Sequence, residues 1–351
     1  MVEDDAKASV ILFPVSLRSD IVPHRKPGCP MTDFWLDFPG IPEDLTRVQK
    51  AVQEAVGYDH ALIKSALGDL FEGDGKLLRP GLLLIASRFG KRDERKTIAL
   101  AAALEMLHVA TLIHDDIVDD SPLRRGLPAV HSRYGKKDAV LMGDFLLSRC
   151  FILTATYTSP ANATLLAQAI SVICAMEIEQ DLDRFTASPS IRRYLRKIMG
   201  KTAVLFSLAC HAGSTEAKVP QRTSERLRRA GYDMGMAFQI IDDILDYEST
   251  ESLVRKPVGN DLKAGLATLP LLCALRNDDG KLARMVSPAN FPNADVPALI
   301  EAVVERNGIL DARTYAHRYT NRALAEIAAL PPGTPRELMH LLATRLLDRT
   351  Y

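Results

Sequence analysis

The chain has 351 residues, of which 47% are apolar and 25% charged. These are the fractions of an ordinary globular protein, and they exclude collagen-like, coiled-coil and wholly disordered classes. Forty-four basic residues balance forty-four acidic ones, so no global field recruits nucleic acid or an anionic membrane.

Residues 1–37 read as an N-terminal tail, because Pro14, Pro23, Pro27, Gly28 and Pro30 interrupt any period. The tail begins acidic and its apolar run is short, unlike a secretion signal. Residues 38–351 read as one domain. Leu45, Val48, Val52 and Val56 recur three or four apart, the stripe of an amphipathic helix. The same period predicts helices over Leu82 to Phe89, Ala99 to Ile117, Ala139 to Tyr157 and Leu165 to Leu182. It continues through Ile191 to Ala209, Leu227 to Leu245, Ala312 to Leu330 and Leu338 to Leu347. No run alternates with period two, so the fold class is all-α. Several helices are apolar around most of their circumference, such as IALAAALEMLHVATLI. Such helices belong at the centre of a bundle, which favours a single large bundle around an apolar cavity.

The longest uncharged stretch, Cys150 to Met176, contains Pro160 and Asn162. It falls short of about twenty consecutive apolar residues, so no transmembrane segment is expected. The five cysteines, Cys29, Cys150, Cys174, Cys210 and Cys273, form no CxxC pair. They read as core thiols of a reducing, cytoplasmic protein.

The segment LIHDDIVDDSPLRRG carries Asp115, Asp116, Asp119 and Asp120 at i, i+1, i+4 and i+5. At about 100° per residue these span an arc of roughly 140°, one helix face. A second DDxxD, in FQIIDDILDY, places Asp242, Asp243 and Asp246 likewise. Both sets lie near C-terminal ends of apolar helices, an unfavourable place for negative charge. Carboxylates so placed need cations between them. All-oxygen, incomplete coordination suits Mg²⁺, which takes its remaining ligands from water and phosphate. Lys76 and Arg79 beside a Gly turn, Arg124 and Arg125 after the first cluster, Lys201 after a helical run, and Lys256 ten residues past Asp246 supply cations fit for diphosphate.

These motifs resemble those of the trans-polyprenyl diphosphate synthases. LIHDDIVDDSPLRRG is similar to that family's first aspartate-rich motif and FQIIDDILD to its second. GKLLRP, MGDFLL, GKTA and KPVGNDLKAGLATLPLL match further motifs in order from Gly75 to Leu272. The resemblance implies a homodimer that condenses isopentenyl diphosphate, head to tail, onto geranyl, farnesyl or geranylgeranyl diphosphate. It implies Asp115, Asp116, Asp119, Asp242 and Asp246 as ligands of Mg²⁺, about three ions per site. Arg124, Lys201 and Lys256 would neutralise the allylic diphosphate, with Thr202 and Gln239 beside it. Lys76, Arg79, His108 and Arg125 would hold isopentenyl diphosphate. Asp115, Asp116, Asp119, Lys201, Asp242 and Lys256 form the expected catalytic set. One departure stands out: Leu266 occupies a position where the family motif has lysine, which removes one cation near the second cluster.

The prenyl tail would run down the face of the helix bearing the first motif. Ala110 and Thr111, one turn before Asp115, are small and leave that path open toward Met106, Leu107 and a floor at Phe145 or Phe151. Short-chain members of the resembled family carry aromatics at that position, so the resemblance implies a product longer than farnesyl, roughly thirty to fifty carbons; the helical rise of about 5.4 Å per turn sets the path along α-helical walls. A short-chain synthase, a terpene cyclase and a non-catalytic partner subunit are the competing readings. The cyclase lacks use for Lys76, Arg79 and Arg125, and a partner subunit would be expected to have lost aspartates.

Overall fold

The structure, a computed structural model, describes residues 33–57, 75–124, 127–186, 190–248 and 259–347. Asp33–Trp35 form a 3₁₀ turn, followed by α1 (Ile41–Val56), α2 (Leu78–Ser87) and α3 (Glu94–Val118). A two-residue antiparallel pair, β1 (Leu123–Arg124) and β2 (Leu127–Pro128), precedes α4 (Val130–Tyr134), α5 (Lys136–Tyr157) and α6 (Pro160–Leu182). Then come α7 (Ile191–Ile198), α8 (Val204–Glu216), α9 (Gln221–Glu248), α10 (Asn260–Lys263) and α11 (Leu269–Arg276). The chain closes with α12 (Lys281–Met285), α13 (Val296–Glu305), α14 (Gly308–Ala328) and α15 (Thr334–Leu347). The predicted all-α class holds, and the long predicted helices are present.

Local chemistry sets several boundaries. Asp93 caps α3 by accepting from the Lys96 N–H, and Ser159 caps α6 ahead of Pro160 at the first helical position. Pro160 therefore separates α5 from α6. α3 forms the apolar centre: Leu104, Met106, Leu107, Ala110 and Ile113 are all buried. It packs on α5, while α9 packs on α8 and α14. Of the expected tail, Phe34 to Asp37 adjoin the bundle, since Trp35 is 1% exposed and its indole N–H donates to the Lys76 carbonyl at 2.6 Å. Residues 1–32 lie outside the described residues.

The expectation that no segment is long and apolar enough to cross a membrane does not hold by length and composition. α3, α5 and α6 all qualify, and the stretch interrupted by Pro160 is two full helices, one on each side of it. Most of α3 is inside the bundle, whereas α5 and α6 leave Val140, Leu141, Phe151, Ile152, Leu165, Ile178 and Leu182 exposed. Phe151, 46% exposed, is thereby removed as a tunnel floor within this chain, while Phe145 packs against the core. Cys150, Cys174, Cys210 and Cys273 are free thiols.

Candidate active site

The first aspartate cluster closes α3. Asp115 is half-buried, Asp116 is 4% exposed, and Asp119 is the C-terminal cap residue. Each has a cation in reach. Arg124 donates to both Asp116 oxygens, from Nε at 3.1 Å and from Nη2. Arg184, from the turn after α6, pairs with Asp119. Asp115 lies within electrostatic reach of Lys201 and Arg124, but burial and the neighbouring Glu177 and Asp119 push it up to about 7. Asp120 turns outward to Lys136 at 2.8 Å.

Lys201 stands on a single π-helical turn, Met199–Ala203, between α7 and α8. The turn sits tightly against α6, because a Cβ on Gly200 would stand 2.3 Å from Met176. That contact brings Lys201 Nζ to 2.9 Å from Glu177 Oε1. Burial alone would lower the ammonium pKa, yet Asp115, Glu177 and Asp119 together hold it above its ordinary value. A π turn at such a position is a common mark of a functional site.

The second cluster ends α9. Asp242 is exposed and Asp246 half-buried. Asp246 accepts the backbone N–H groups of Asn260 at 3.1 Å and Asp261 at 3.0 Å. Burial pushes Asp246 up, and it pushes Asp261 well above the usual carboxylate range, with Asp243, Asp246 and Asp242 adding to the effect. Lys201 lies within electrostatic reach of Asp261 too, the residue whose N–H is bonded to Asp246. Thr202, next in the turn, donates to Gln239 on α9 at 2.6 Å.

The structure thus brings Asp115, Asp116, Asp119, Arg124, Lys201, Thr202 and Gln239 into one region. Lys76 and Arg79 flank the start of α2, their cationic heads 5.2 Å and 5.4 Å from the ring centroids of Phe34 and Phe206. His108 is half-buried two turns before Asp115. Arg125 and Lys256 lie outside the described residues. Thr111 turns its hydroxyl onto the His108 carbonyl at 2.8 Å, and Ala110, Met106 and Leu107 are buried in the core below. Glu177, Arg184, Tyr194 and Asp261 were not among the expected site residues. Asp261 lies within a quoted motif. Glu177 is the first charge after the long uncharged stretch, which was the one signal for it.

Among the described residues no three His, Cys, Asp or Glu side chains form a closed metal cage. The donor set is nevertheless all oxygen, and burial leaves its carboxylates under-neutralised. Such groups suit a hard divalent ion whose remaining ligands are water and phosphate.

A helical bundle with two carboxylate-bearing helix ends, a half-buried lysine beside the first, and an apolar central helix defines a protein of the isoprenoid synthase type. A polyprenyl synthetase family model matches residues 60–303. Heptaprenyl diphosphate synthase component 2 of Geobacillus stearothermophilus is 35% identical over 309 residues, 88% of this chain and 97% of that protein. Geranylgeranyl pyrophosphate synthase from Lactobacillus brevis superposes with a TM-score of 0.84 at 33% identity, over 90% of this chain and 99% of that one. A polyprenyl synthase from Caulobacter crescentus, complexed with calcium and isoprenyl diphosphate, superposes at 0.82 with 34% identity, over 88% of this chain and 95% of that one. The chain belongs to the polyprenyl synthetase family. It is an enzyme, a prenyltransferase that makes a polyprenyl diphosphate by condensing isopentenyl and allylic diphosphates.

Proposed function

We propose that the reaction is a Mg²⁺-dependent, head-to-tail 1'-4 condensation giving an all-trans product longer than farnesyl diphosphate. The observation that carries the reading is Lys201, held by Glu177 within reach of the first carboxylate cluster and of Asp261, which bonds Asp246 of the second. Asp115, Asp116, Asp119, Asp242 and Asp246 are the residues that would hold Mg²⁺. When bound, the ions would polarise the allylic diphosphate and absorb its charge as it leaves.

Lys201 and Arg124 neutralise the same diphosphate from the protein side, as does Lys256, and Thr202 and Gln239 orient it. The allylic C1–O bond breaks, the double bond of isopentenyl diphosphate attacks C1, and a new C–C bond forms. The released diphosphate takes the proton that restores a double bond. Lys76, Arg79, His108 and Arg125 hold isopentenyl diphosphate. No protein nucleophile is needed, and the apolar wall of Ala110, Leu107 and Met106 keeps water from the allylic cation. The free thiols of Cys150, Cys174, Cys210 and Cys273 support a cytoplasmic location.

The exposed apolar faces of α5 and α6 support a dimer built across them. A homodimer is the reading preferred, since both aspartate clusters are intact. The "component 2" relative favours a second reading, a subunit that needs an unlike partner. Purified protein, Mg²⁺, farnesyl diphosphate and excess isopentenyl diphosphate decide between them, with products read by mass spectrometry after dephosphorylation. A discrete long-chain alcohol supports the first reading. A folded protein that elongates no allylic primer overturns it in favour of the second.

A further inference from the structure

The turn that ends α6 links the two carboxylate clusters. Arg184 pairs with Asp119 and with Asp181, the latter at 2.9 Å. The next residue, Phe185, has φ 55, a left-handed conformation that a bulky side chain adopts only under outside constraint. The constraint is visible. The Phe185 N–H donates to the Gly265 carbonyl at 2.8 Å, and its ring covers Gly265 so closely that a Cβ there would stand 2.6 Å away. Phe291 meets the ring edge-on at 5.7 Å.

From Gly265 the path continues into the second cluster. The Leu266 N–H donates to the Asp261 carbonyl at 2.8 Å, and the Asp261 N–H donates to Asp246 at 3.0 Å. Asp246 and Asp119, one from each cluster, are therefore joined through Asp261, the 265–266 loop, Phe185 and Arg184. The neighbouring cations are committed elsewhere, Arg193 and Lys197 both lying on Asp183 at 2.9 Å and 3.4 Å. Leu266 lines a small pocket with these same residues, Asp183, Arg193 and Lys197, and with Tyr194.

We propose that Arg184 is a positioning residue that holds Asp119 in the metal-free enzyme. It releases that carboxylate when metal and allylic diphosphate enter, and then presents its guanidinium to the diphosphate. The proposal rests on the prenyl-transfer reading above. Atoms do not change hands; one ion pair is exchanged for another.

The test compares the full-length protein with Arg184→Ala and Arg184→Lys. Mn²⁺ binding without substrate, followed by electron paramagnetic resonance, reads the competition directly. Removing the guanidinium should tighten Mn²⁺ binding by about fivefold, the equilibrium effect of a partly exposed ion pair. The KM for farnesyl diphosphate should rise about tenfold with a smaller change in kcat, since a charge-assisted contact to the diphosphate is lost. Arg184→Lys should recover most of the KM, since it restores a cation at the same position.

Unchanged Mn²⁺ affinity together with unchanged KM overturns the proposal. So does a fall in kcat and melting temperature that Arg184→Lys leaves uncorrected, because that is a packing role. Wild-type protein that binds Mn²⁺ tightly but elongates nothing would sink the prenyl-transfer reading, while the Mn²⁺ comparison still decides the role of Arg184 at Asp119.

Discussion

Tyr194 on α7 donates its phenolic hydrogen to Asp243 Oδ2 at 2.6 Å, and Gln239 donates to the other carboxylate oxygen at 2.8 Å. Asp243 is 5% exposed, so the middle aspartate of the second cluster faces inward rather than toward Asp242 and Asp246. Because Gln239 also accepts from Thr202, a chain of hydrogen bonds runs from α7 through α9 to the turn bearing Lys201. Burial pushes Asp243 up to about 7, against the two donors that favour its charged form.

Tyr194→Phe removes one of those donors and leaves a buried carboxylate oxygen without it. The cost should be about 1–3 kcal/mol, read as a lower melting temperature. The Mg²⁺ concentration for half-maximal activity should rise, because the end of α9 is less firmly held, while product length stays the same. A melt and an activity titration on the same preparation check both. An unchanged titration would mean that Tyr194 serves the core alone.

Gly143→Ala tests the link between two sequence motifs. The His114 imidazole, one residue before Asp115, lies flat on Gly143 of α5, so closely that a Cβ there would stand 2.2 Å from Nε2. The same nitrogen is 3.4 Å from the Val140 carbonyl and 3.6 Å from Asp144. Overpacking of this kind costs about 1–3 kcal/mol. His114→Ala/Gly143→Ala should recover much of that loss, and non-additivity in a double-mutant cycle is the measurement. Additive effects would show that the ring can swing away freely.

The contrast among these residues explains what the sequence reveals. Asp115 and Asp119 are legible because a 3.6-residue period places them on one face, and α3 is legible because its apolar run is long. The π turn at Met199–Ala203 is invisible to the same reasoning, since periodicity reads straight through Ile191 to Ala209. The short helices α11, α12 and α13 supply too few turns for a period to register. Tyr194, Glu177 and Arg184 are single polar residues on otherwise ordinary helices and turns. Only tertiary packing brings them to Asp243, Lys201 and Asp119.

Asp233 offers a pH test away from both aspartate clusters. It is 2% exposed between α9 and α14, and burial pushes it up to about 6 from 3.8, with Arg322 opposing and Glu326 reinforcing. A carboxyl whose pKa is raised by folding binds more protons folded than unfolded between those values. Its favourable contribution is thus complete below 3.8 and is lost as pH rises through about 6. Asp233→Asn should raise the melting temperature at pH 7.5 relative to wild type, by a stability on the order of 1–3 kcal/mol. The difference should shrink toward pH 5. A gap that widens on acidification would mean that the Arg322 pair, 3.0 Å apart, outweighs desolvation.

Ala110→Phe tests where the hydrocarbon goes. Ala110 is fully buried on α3, one turn before His114 and Asp115, and Met106 and Leu107 lie buried behind it. A tail growing from the first cluster down this helix meets Ala110 first, and each turn it descends adds about 5.4 Å of path. A phenyl ring at 110 would close that path within one turn of the diphosphate, so the main product should shorten toward farnesyl or geranylgeranyl diphosphate. The same ring overpacks the core by about 1–3 kcal/mol, and melting temperature must be measured beside the product spectrum. Lower yield at unchanged chain length shows that Ala110 serves helix packing and that the tail leaves by another face. Shorter product at near-normal turnover places the tunnel along α3 and makes Met106 and Leu107 the next positions that set its depth.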